Sequence, residues 1–264
     1  MKTVIMAGGK GTRISSVSGT IPKGLLEVAG KTVLARQIEC LASQGYKDII
    51  IVTGHLGEVI QTRLGDGKTF GVNLAYYHEE KPLGTAGALA ALKAELQEDF
   101  LLINGDLVFD LDFNRFVAFH LHKKALVTLF THPNNHPFDS ELVVAGSNSV
   151  ISGWLTRAEI KYAYNNRVNA GIHLLSPEIF YTIGEIKKLD LDKDVLMPLL
   201  DTGRIYAYNS SEYVKDMGTP ERYEEVARDY LSGKVGARNL MKQQKAIFLD
   251  RDGTINTYKG LVTK

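Results

Sequence analysis

A short strand that runs directly into a glycine-rich loop is the feature that most constrains how this chain folds. The strand from Thr3 to Met6 is mostly apolar, and residues 7–13 after it read Ala-Gly-Gly-Lys-Gly-Thr-Arg. Glycine lets backbone N–H groups crowd an anion without interference from a Cβ atom, and the lysine and arginine neutralise its charge. The segment therefore predicts a phosphate-binding loop at the carboxyl end of a strand, as in α/β proteins.

Two of the commonest phosphate-loop patterns do not fit this segment. In a Walker A loop, lysine and then serine or threonine follow the second glycine, whereas here Arg13 follows Gly11 and Thr12. A dinucleotide-binding fingerprint needs a third glycine at the position of Ile14. A glycine turn formed for purely structural reasons would explain the glycines, but it would not explain the two nearby cations, Arg13 and Lys23.

The loop, taken together with the segment Ile21-Pro-Lys-Gly-Leu-Leu-Glu27, resembles the signature of sugar-1-phosphate nucleotidyltransferases. That signature reads A-G-G-x-G-T-R-L, with P-K-P-L-L shortly after it. The resemblance implies that Arg13 and Lys23 are catalytic and hold the reacting phosphates. It assigns nucleotide binding to Ala7, Gly8, Gly9, Gly11 and Thr12. Gly24 replaces the second proline of P-K-P, and we expect this change to loosen the loop that carries Lys23.

The composition is that of an ordinary globular protein. The 264 residues are 44% hydrophobic and 23% charged, which provides for a substantial core. A formal net charge of +1 argues against a nucleic-acid partner, which would require a strongly basic face. The single cysteine, Cys40, fits a reducing compartment, and neither a signal peptide nor a transmembrane run is present. We therefore expect a cytoplasmic protein without a membrane partner, and its oligomeric state stays open.

Strand and helix patterns alternate along the first half of the chain. The predicted strands are 2–6, 48–53, 72–77 and 100–104, and the predicted helices are 32–43, 56–64 and 85–96. This alternation predicts βαβ units, an α/β fold class and a largely parallel sheet. With the resemblance, the expected architecture is a Rossmann-like nucleotidyltransferase fold with a mostly parallel central sheet and an inserted sugar-binding subregion.

The second half mixes short strands with helices, and we expect it to form that inserted subregion at the sheet edge. Its predicted strands are 126–131, 141–144, 150–155 and 168–175, with helices near 177–183 and 195–200. A further helix is predicted over 220–231, with Thr219 as its N-cap and a proline in the first turn.

Two aspartates are predicted to hold a divalent metal ion. Asp106 follows the strand 100–104 in Asn-Gly-Asp, and Asp216 begins Asp-Met-Gly-Thr-Pro-Glu-Arg-Tyr. An isolated aspartate in either place would more often cap a turn or helix. The surrounding residues, however, resemble the N-G-D and D-x-G-T-P-E-x-Y motifs of the same family. The resemblance implies that Asp106 and Asp216 bind Mg²⁺.

The segment Glu79-Glu-Lys-Pro-Leu-Gly-Thr-Ala-Gly87 resembles the family's E-P-L-G-T-A-G motif. The resemblance implies that backbone at Gly84 and Thr85 lines the base and ribose. Guanine presents adjacent N1–H and N2–H donors, which the Glu79 carboxylate can accept as a pair, whereas adenine presents an acceptor at N1. Glu79 therefore favours GTP over other nucleotides, with a merely solvated Glu79–Glu80 loop end as the alternative.

The sugar phosphate is assigned to two further segments. Val168-Asn-Ala-Gly-Ile172 resembles the N-A-G-I motif that contacts the sugar phosphate in this family, with Asn169 offering its amide to sugar hydroxyls and Gly171 permitting close approach. Glu159 and Lys161 lie where the family has its E-K pair, although Ala-Glu-Ile-Lys-Tyr departs from E-K-P.

The end of the chain begins a second pattern. Residues 232–238 have the composition of a linker, and the apolar segment 245–249 after it predicts a strand. Phe248-Leu-Asp-Arg-Asp-Gly-Thr254 resembles the first motif of haloacid-dehalogenase-type phosphatases, in which Asp250 would attack phosphorus and Asp252 would handle the proton. We expect a nucleotidyltransferase domain over 1–235, and over 236–264 a linker with the start of a phosphatase domain that belongs to a longer, two-enzyme protein.

These observations lead to one functional expectation. The resemblance implies Mg²⁺-dependent transfer of GMP from GTP to a sugar 1-phosphate with release of pyrophosphate, and the phosphatase motif favours D-glycero-D-manno-heptose 1-phosphate. The alternatives are uridylyl or thymidylyl transfer to a hexose 1-phosphate, guanylyl transfer to mannose 1-phosphate, and a non-catalytic nucleotide-sugar sensor.

Overall fold

The computed structural model describes residues 1–9, 14, 19, 21–134, 141–156, 159, 165–250 and 254–255. Its strands are β1 (Thr3–Met6), β2 (Glu27–Val28), β3 (Lys31–Thr32), β4 (Asp48–Thr53), β5 (Asn73–His78), β6 (Phe100–Asn104), β7 (Leu107–Asp110), β8 (Val127–His132), β9 (Leu142–Ala145), β10 (Ile151–Leu155), β11 (Val168–Leu175), β12 (Ile205–Asn209) and β13 (Tyr213–Asp216). Its α-helices are α1 (Val33–Ser43), α2 (Gly57–Leu64), α3 (Gly84–Ala91), α4 (Phe113–Lys123), α5 (Phe180–Ile183), α6 (Pro220–Leu231) and α7 (Lys234–Ala237). One-turn and irregular helices occupy Lys23–Leu25, Lys68–Phe70, Pro177–Ile179, Leu191–Leu196 and Met197–Thr202.

A nine-stranded sheet organises the molecule, and its centre is parallel as predicted. Strands β6, β1, β4 and β5 lie side by side and all pair in parallel. Both faces of this part of the sheet are covered, which is why β4 is an almost unbroken buried apolar run. The α/β class and the mostly parallel central sheet are confirmed.

The second half of the chain continues this sheet instead of forming a separate layer. Strand β11 pairs antiparallel with β6 on one side and with β8 on the other, and β12 pairs in parallel with β8. All but one of the residues in β11 are buried, so this strand belongs in the interior of a sheet. The expected inserted subregion is thus joined edge to edge with the nucleotide-binding half.

Five strands escaped the sequence prediction: β2, β3, β7, β12 and β13. Each is only two to five residues long. The pair β7–β13 forms a separate two-stranded ribbon. The helix α6 begins and ends as predicted, and the Thr219 hydroxyl accepts a hydrogen bond from the Arg222 backbone N–H at 3.3 Å.

The end of the chain differs from its prediction in two respects. The predicted linker contains α7, whose Val235 is buried, and the chain after it is tied to the domain through the Asn239 amide, 2.6 Å from Asp110 Oδ1. The predicted strand 245–249 is not formed, because no sheet edge pairs with it. Ile247 and Phe248 in that segment are 84% and 95% exposed.

Among the described residues, no helix is both long and apolar enough to cross a membrane.

Candidate functional site

The predicted catalytic lysine and one predicted metal ligand meet at the end of β6. This strand ends at Asn104, and a tight turn at Gly105 follows, in which a Cβ atom would lie 2.9 Å from the Met6 carbonyl oxygen. The turn presents Asp106, whose Oδ2 lies 3.4 Å from Lys23 Nζ. Only 17% of the Lys23 side chain is exposed, so its charge is held close to the carboxylate.

The segment that carries Lys23 is closely packed, contrary to the expectation of a loosened loop. Lys23 lies in a one-turn helix in which the Leu25 N–H bonds to the Pro22 carbonyl at 2.8 Å. A Cβ atom on Gly24 would lie 2.7 Å from the buried Leu34 side chain and 3.1 Å from the Gly105 carbonyl oxygen. Glycine is therefore required here by close approach, and the segment around Lys23 packs against Leu34 and the turn at Gly105.

The second predicted metal ligand is brought to the first by the ribbon of β7 and β13. Asp216 lies opposite Leu107 in this ribbon, and the Met217 N–H donates to the Asp106 backbone oxygen at 3.1 Å. One guanidinium nitrogen of Arg222 lies 3.0 and 2.9 Å from the two Asp216 carboxylate oxygens. We refer to Lys23, Asp106, Asp216 and Arg222 together as the charged edge.

The charged edge suits a Mg²⁺ ion that is held jointly with substrate phosphates. Its two carboxylates are the hard oxygen ligands that Mg²⁺ takes, usually one or two per site. The described residues contain no group of three or more His, Cys, Asp or Glu side chains placed to hold a metal ion. Substrate oxygens and water would have to complete the coordination.

Glu79, and not Glu80, faces the glycine-rich loop. Its Oε1 accepts a hydrogen bond from the Leu83 N–H at 3.0 Å, and a Cβ atom on Gly8 would lie 2.8 Å from its Oε2. Ala7, the first residue of the loop, stays in line with the sheet, because its N–H donates to the Val52 carbonyl at 2.8 Å. The Glu79 carboxylate therefore lies directly against the backbone at Gly8.

The remaining predicted nucleotide-binding residues have separate placements. Gly9 is exposed, and Thr85 lines the large cavity described below. Gly84 has a φ of +72°, and a Cβ atom there would collide with the Leu189 carbonyl oxygen. Its role in this structure is to let α3 pack on the backbone of Leu189.

A cavity of about 1070 Å³ extends from the charged edge along β11. Asn169 lies on its wall next to an irregularity in the pairing of β11 with β8. The Asn169 Oδ1 accepts the Gly171 N–H at 3.0 Å, and its Nδ2 lies 3.0 Å from His173 Nε2 and 3.3 Å from both carboxylate oxygens of Asp192. We refer to Asn169, His173 and Asp192 as the amide cluster.

The amide cluster gives Asn169 contacts that its predicted role did not include. Asn169 was expected to offer its amide to sugar hydroxyls, but His173 and Asp192 already engage its two amide hydrogens. Gly171 has a φ of +76°, and a Cβ atom there would collide with the Asn104 amide, so this packing requires glycine. Its predicted close approach to the sugar phosphate stays a prediction.

Burial shifts the ionisation of several groups around the cavity. It lowers the pKa of His173 to about 4, and His132 is lowered to about the same pKa, mainly by burial. Burial also raises the pKa of Asp192, and the neighbouring Asp190 carboxylate adds to this rise. His173 and His132 are therefore neutral near pH 7.

Glu159 has a local role that its sequence position did not indicate. Its carboxylate accepts hydrogen bonds from the backbone N–H and hydroxyl of Thr156, at 2.8 and 2.7 Å, and so closes a turn after β10. It is not among the residues that line the cavity. Asp250 is exposed, and five other predicted site residues lie outside the described part of the chain: Gly11, Thr12, Arg13, Lys161 and Asp252.

Three residues of the site were missed by the sequence analysis. Arg222 occupies the second variable position of the D-x-G-T-P-E-x-Y motif, six residues after that motif's aspartate, so a positive charge at this position was a usable signal. Asp192 and His173 belong to no motif that we recognised, and only the fold brings them to Asn169.

Comparison with known proteins identifies the family of the chain. Residues 2–233 match the model of the family described as nucleotidyl transferase, so the chain belongs to that family. Among curated relatives, the mannose-1-phosphate guanylyltransferase catalytic subunit beta of Drosophila melanogaster is 28% identical over 249 residues, 93% of this chain and 65% of the relative. The UTP--glucose-1-phosphate uridylyltransferase of Synechocystis is 30% identical over 250 residues, 89% of this chain and 64% of the relative. The chain thus spans about two thirds of the length of these two relatives.

Among solved structures, HddC from Yersinia pseudotuberculosis superimposes with a TM-score of 0.75 at 26% identity. The match covers 87% of this chain and 99% of HddC. The structure of HddC complexed with GMP-PN gives a TM-score of 0.74 at 25% identity, with the same coverage.

Proposed function

We propose that this member of the nucleotidyl transferase family transfers a nucleoside monophosphate to a sugar 1-phosphate and releases pyrophosphate. The observation that carries the proposal is the charged edge. There Lys23 lies 3.4 Å from Asp106, and a backbone hydrogen bond of 3.1 Å ties Asp106 to the residue after Asp216. Cations and carboxylates so arranged at the carboxyl end of a sheet suit the neutralisation and positioning of phosphates.

The reaction needs no covalent enzyme intermediate. An oxygen of the sugar phosphate attacks the α-phosphorus of the nucleotide in line, and the bond from that phosphorus to the bridging oxygen of pyrophosphate breaks. Lys23 neutralises charge on the α-phosphate and the incoming oxygen, while Arg13 is proposed to hold the departing β- and γ-phosphates. Mg²⁺ bound through Asp106 and Asp216 would supply further neutralisation of the phosphoryl oxygens.

We propose GTP as the nucleotide. Support comes from Glu79, whose carboxylate lies against Gly8 at the start of the loop and can accept the N1–H and N2–H of guanine. The likeness to HddC complexed with GMP-PN, and to a guanylyltransferase among the curated relatives, points the same way. The uridylyltransferase relative keeps UTP as the second candidate.

We propose D-glycero-D-manno-heptose 1-phosphate as the acceptor, with mannose 1-phosphate as the alternative. The support is the phosphatase-like motif around Asp250. A strand-like apolar segment, 245–249, precedes this motif and is exposed. In heptose activation, a bisphosphate must lose one phosphate before the 1-phosphate accepts GMP, which gives a reason for joining the two activities.

The test is pyrophosphate release with Mg²⁺, comparing GTP, ATP, UTP, CTP and dTTP against heptose 1-phosphate and mannose 1-phosphate. We expect turnover with GTP that Asp106→Asn lowers at least 100-fold, because that variant removes a proposed metal-binding charge. Turnover with UTP or dTTP alone would contradict the proposal that Glu79 selects guanine. The absence of turnover with every pair would favour a non-catalytic nucleotide-sugar sensor.

A further inference from the structure

The cavity contains a carboxylate for which the proposed mechanism has no use. Asp192 lies in the irregular helix Leu191–Leu196 and lines the same cavity as Asp106 and Asp216. Within the described part of the chain, no Lys, Arg or His nitrogen lies within 4.0 Å of it. In contrast, each carboxylate of the charged edge has a cation within that distance.

The contacts of Asn169 fix the orientation of its amide. A backbone N–H can only donate, so the atom that receives the Gly171 N–H must be the Asn169 carbonyl oxygen. The amide nitrogen therefore faces His173 and Asp192. One of its hydrogens goes to His173 Nε2, and the other is shared by the two Asp192 oxygens, both 3.3 Å away.

His173 is a neutral imidazole that can accept a hydrogen bond from the Asn169 amide. It is 4% exposed, its Nε2 accepts from Asn169, and its Nδ1 has no hydrogen-bond partner among the described residues. Because burial keeps this imidazole neutral, it cannot compensate the charge of Asp192. The amide cluster therefore holds Asp192 in place with neutral groups.

Asp192 can still accept further hydrogen bonds, whereas both amide hydrogens of Asn169 are already engaged. A carboxylate has about four lone-pair sites, and a single shared N–H occupies few of them. A carboxylate without a cation in direct contact repels phosphate and accepts hydrogen bonds from hydroxyl groups. Trp154, on the wall of the same cavity, supplies the apolar surface that the C–H face of a sugar requires.

We propose that Asp192 is the residue that binds hydroxyl groups of the acceptor sugar, and that Asn169 and His173 are positioning residues that orient it. The inference rests on the proposed function and adds to it the contact that selects the sugar. It places the phosphate of the acceptor at the charged edge and its ring hydroxyls at the amide cluster.

The experiment compares wild type with Asp192→Asn, a change that removes the charge and keeps the size of the side chain. Asp194→Asn is the matched control, because Asp194 lies in the same short helix, caps the Asp190 N–H at 2.7 Å, and does not line the cavity. We expect Asp192→Asn to raise the KM for the sugar 1-phosphate about 10- to 100-fold, the effect of losing a hydrogen bond to a charged acceptor. The KM for GTP should change less than threefold, and the control should match wild type in both.

A second measurement uses wild-type protein and therefore does not depend on how the variant folds. Analogues of mannose 1-phosphate that lack the hydroxyl at C2, C3 or C4 are compared with the parent compound. At least one analogue should raise the KM tenfold or more in wild type and have no such effect in Asp192→Asn. If no analogue does so in wild type, or if Asp192→Asn leaves the KM for the sugar phosphate unchanged, the inference is wrong.

The proposed function can fail separately. If wild type releases no pyrophosphate, calorimetric titration with mannose 1-phosphate and heptose 1-phosphate still decides the role of Asp192. Binding that Asp192→Asn weakens tenfold would support the inference in a non-catalytic protein. Equal binding by both proteins, or no binding by either, would overturn it.

Discussion

The carboxylates of the charged edge and the carboxylate of the amide cluster have different neighbours, cationic in the first case and neutral in the second. At the charged edge, Asp106 and Asp216 each face a cation, Lys23 or Arg222. In the amide cluster, Asp192 is held by an amide hydrogen and lies beside a neutral imidazole. Cations next to carboxylates prepare a place for phosphate and a metal ion, whereas neutral dipoles leave a carboxylate free to accept hydroxyls. This difference is the basis of our proposal that the phosphate of the acceptor binds at the charged edge and its hydroxyl groups at the amide cluster.

The largest expected effect is at the charged edge. Lys23→Met should lower turnover about 10³-fold, because the preorganised positive charge stabilises the transition state in a partly dry site. Pyrophosphate release measures this loss. Lys31→Met is the control, since Lys31 lies on the surface in an exposed pair with Glu39, at 2.7 Å. A loss of less than tenfold in Lys23→Met would contradict the role given to the charged edge.

The next effect concerns the neutral imidazole of the amide cluster. The pKa of His173 is about 4 in the folded protein and about 6.5 when the chain is unfolded, so the unfolded chain takes up the proton first as the pH falls. The stability contributed by the neutral form is complete above pH 6.5 and is lost progressively down to pH 4, by about 3 kcal/mol.

Denaturant unfolding between pH 7 and pH 4 measures this loss. His173→Gln should have a shallower fall in the free energy of unfolding than wild type, whereas the exposed His122→Gln should keep the wild-type slope. The same slope in wild type and His173→Gln would show that the imidazole is not held in its neutral form.

A smaller effect is expected from removing Arg222, which partly neutralises the negative charge of Asp216. Arg222→Gln removes a positive charge 2.9 Å from a proposed metal ligand, so Mn²⁺ should bind the nucleotide-free protein about tenfold more tightly. Calorimetric titration with Mn²⁺ measures this affinity directly and does not require turnover. Arg228→Gln, on the same helix in an exposed pair with Glu224, provides the control. Unchanged or weaker Mn²⁺ binding in Arg222→Gln would contradict the metal site.

The smallest effect is expected at the end of the chain. Removal of residues 245–264 should not change the rate of pyrophosphate release. It should change the free energy of unfolding by no more than about 0.5 kcal/mol. The described residues of this segment are all exposed, and the last tie to the domain is the Gln244 side chain, 2.7 Å from the Asn239 carbonyl oxygen. As a comparison, removal from residue 234 onward also deletes the buried Val235 and should lower stability clearly. Equal losses in the two truncations would place residues 245–264 within the domain.

Local patterns were enough to predict much of the fold. The strands Asp48–Thr53, Phe100–Asn104 and Val168–Leu175 begin and end where they were predicted, because a buried apolar run is a local signal. The short strands β7 and β13 were missed, because their stability comes from pairing with each other and not from composition. The segment 245–249 shows the converse, since a strand-like composition without a partner forms no strand.

The sequence by itself determined the α/β class, the family resemblance and the two predicted metal ligands, because each of these depends on residues that are close together in the chain. Only the tertiary structure decided how those residues are supported. It brought Asp106 close to Asp216, which is 110 positions later in the chain, and it packed Gly24 against Leu34. It also placed Asp192 and His173 within hydrogen-bonding distance of the Asn169 amide. The physical reason is that a side chain's charge, orientation and free hydrogen-bonding capacity depend on the groups packed around it, and those groups come from distant parts of the sequence.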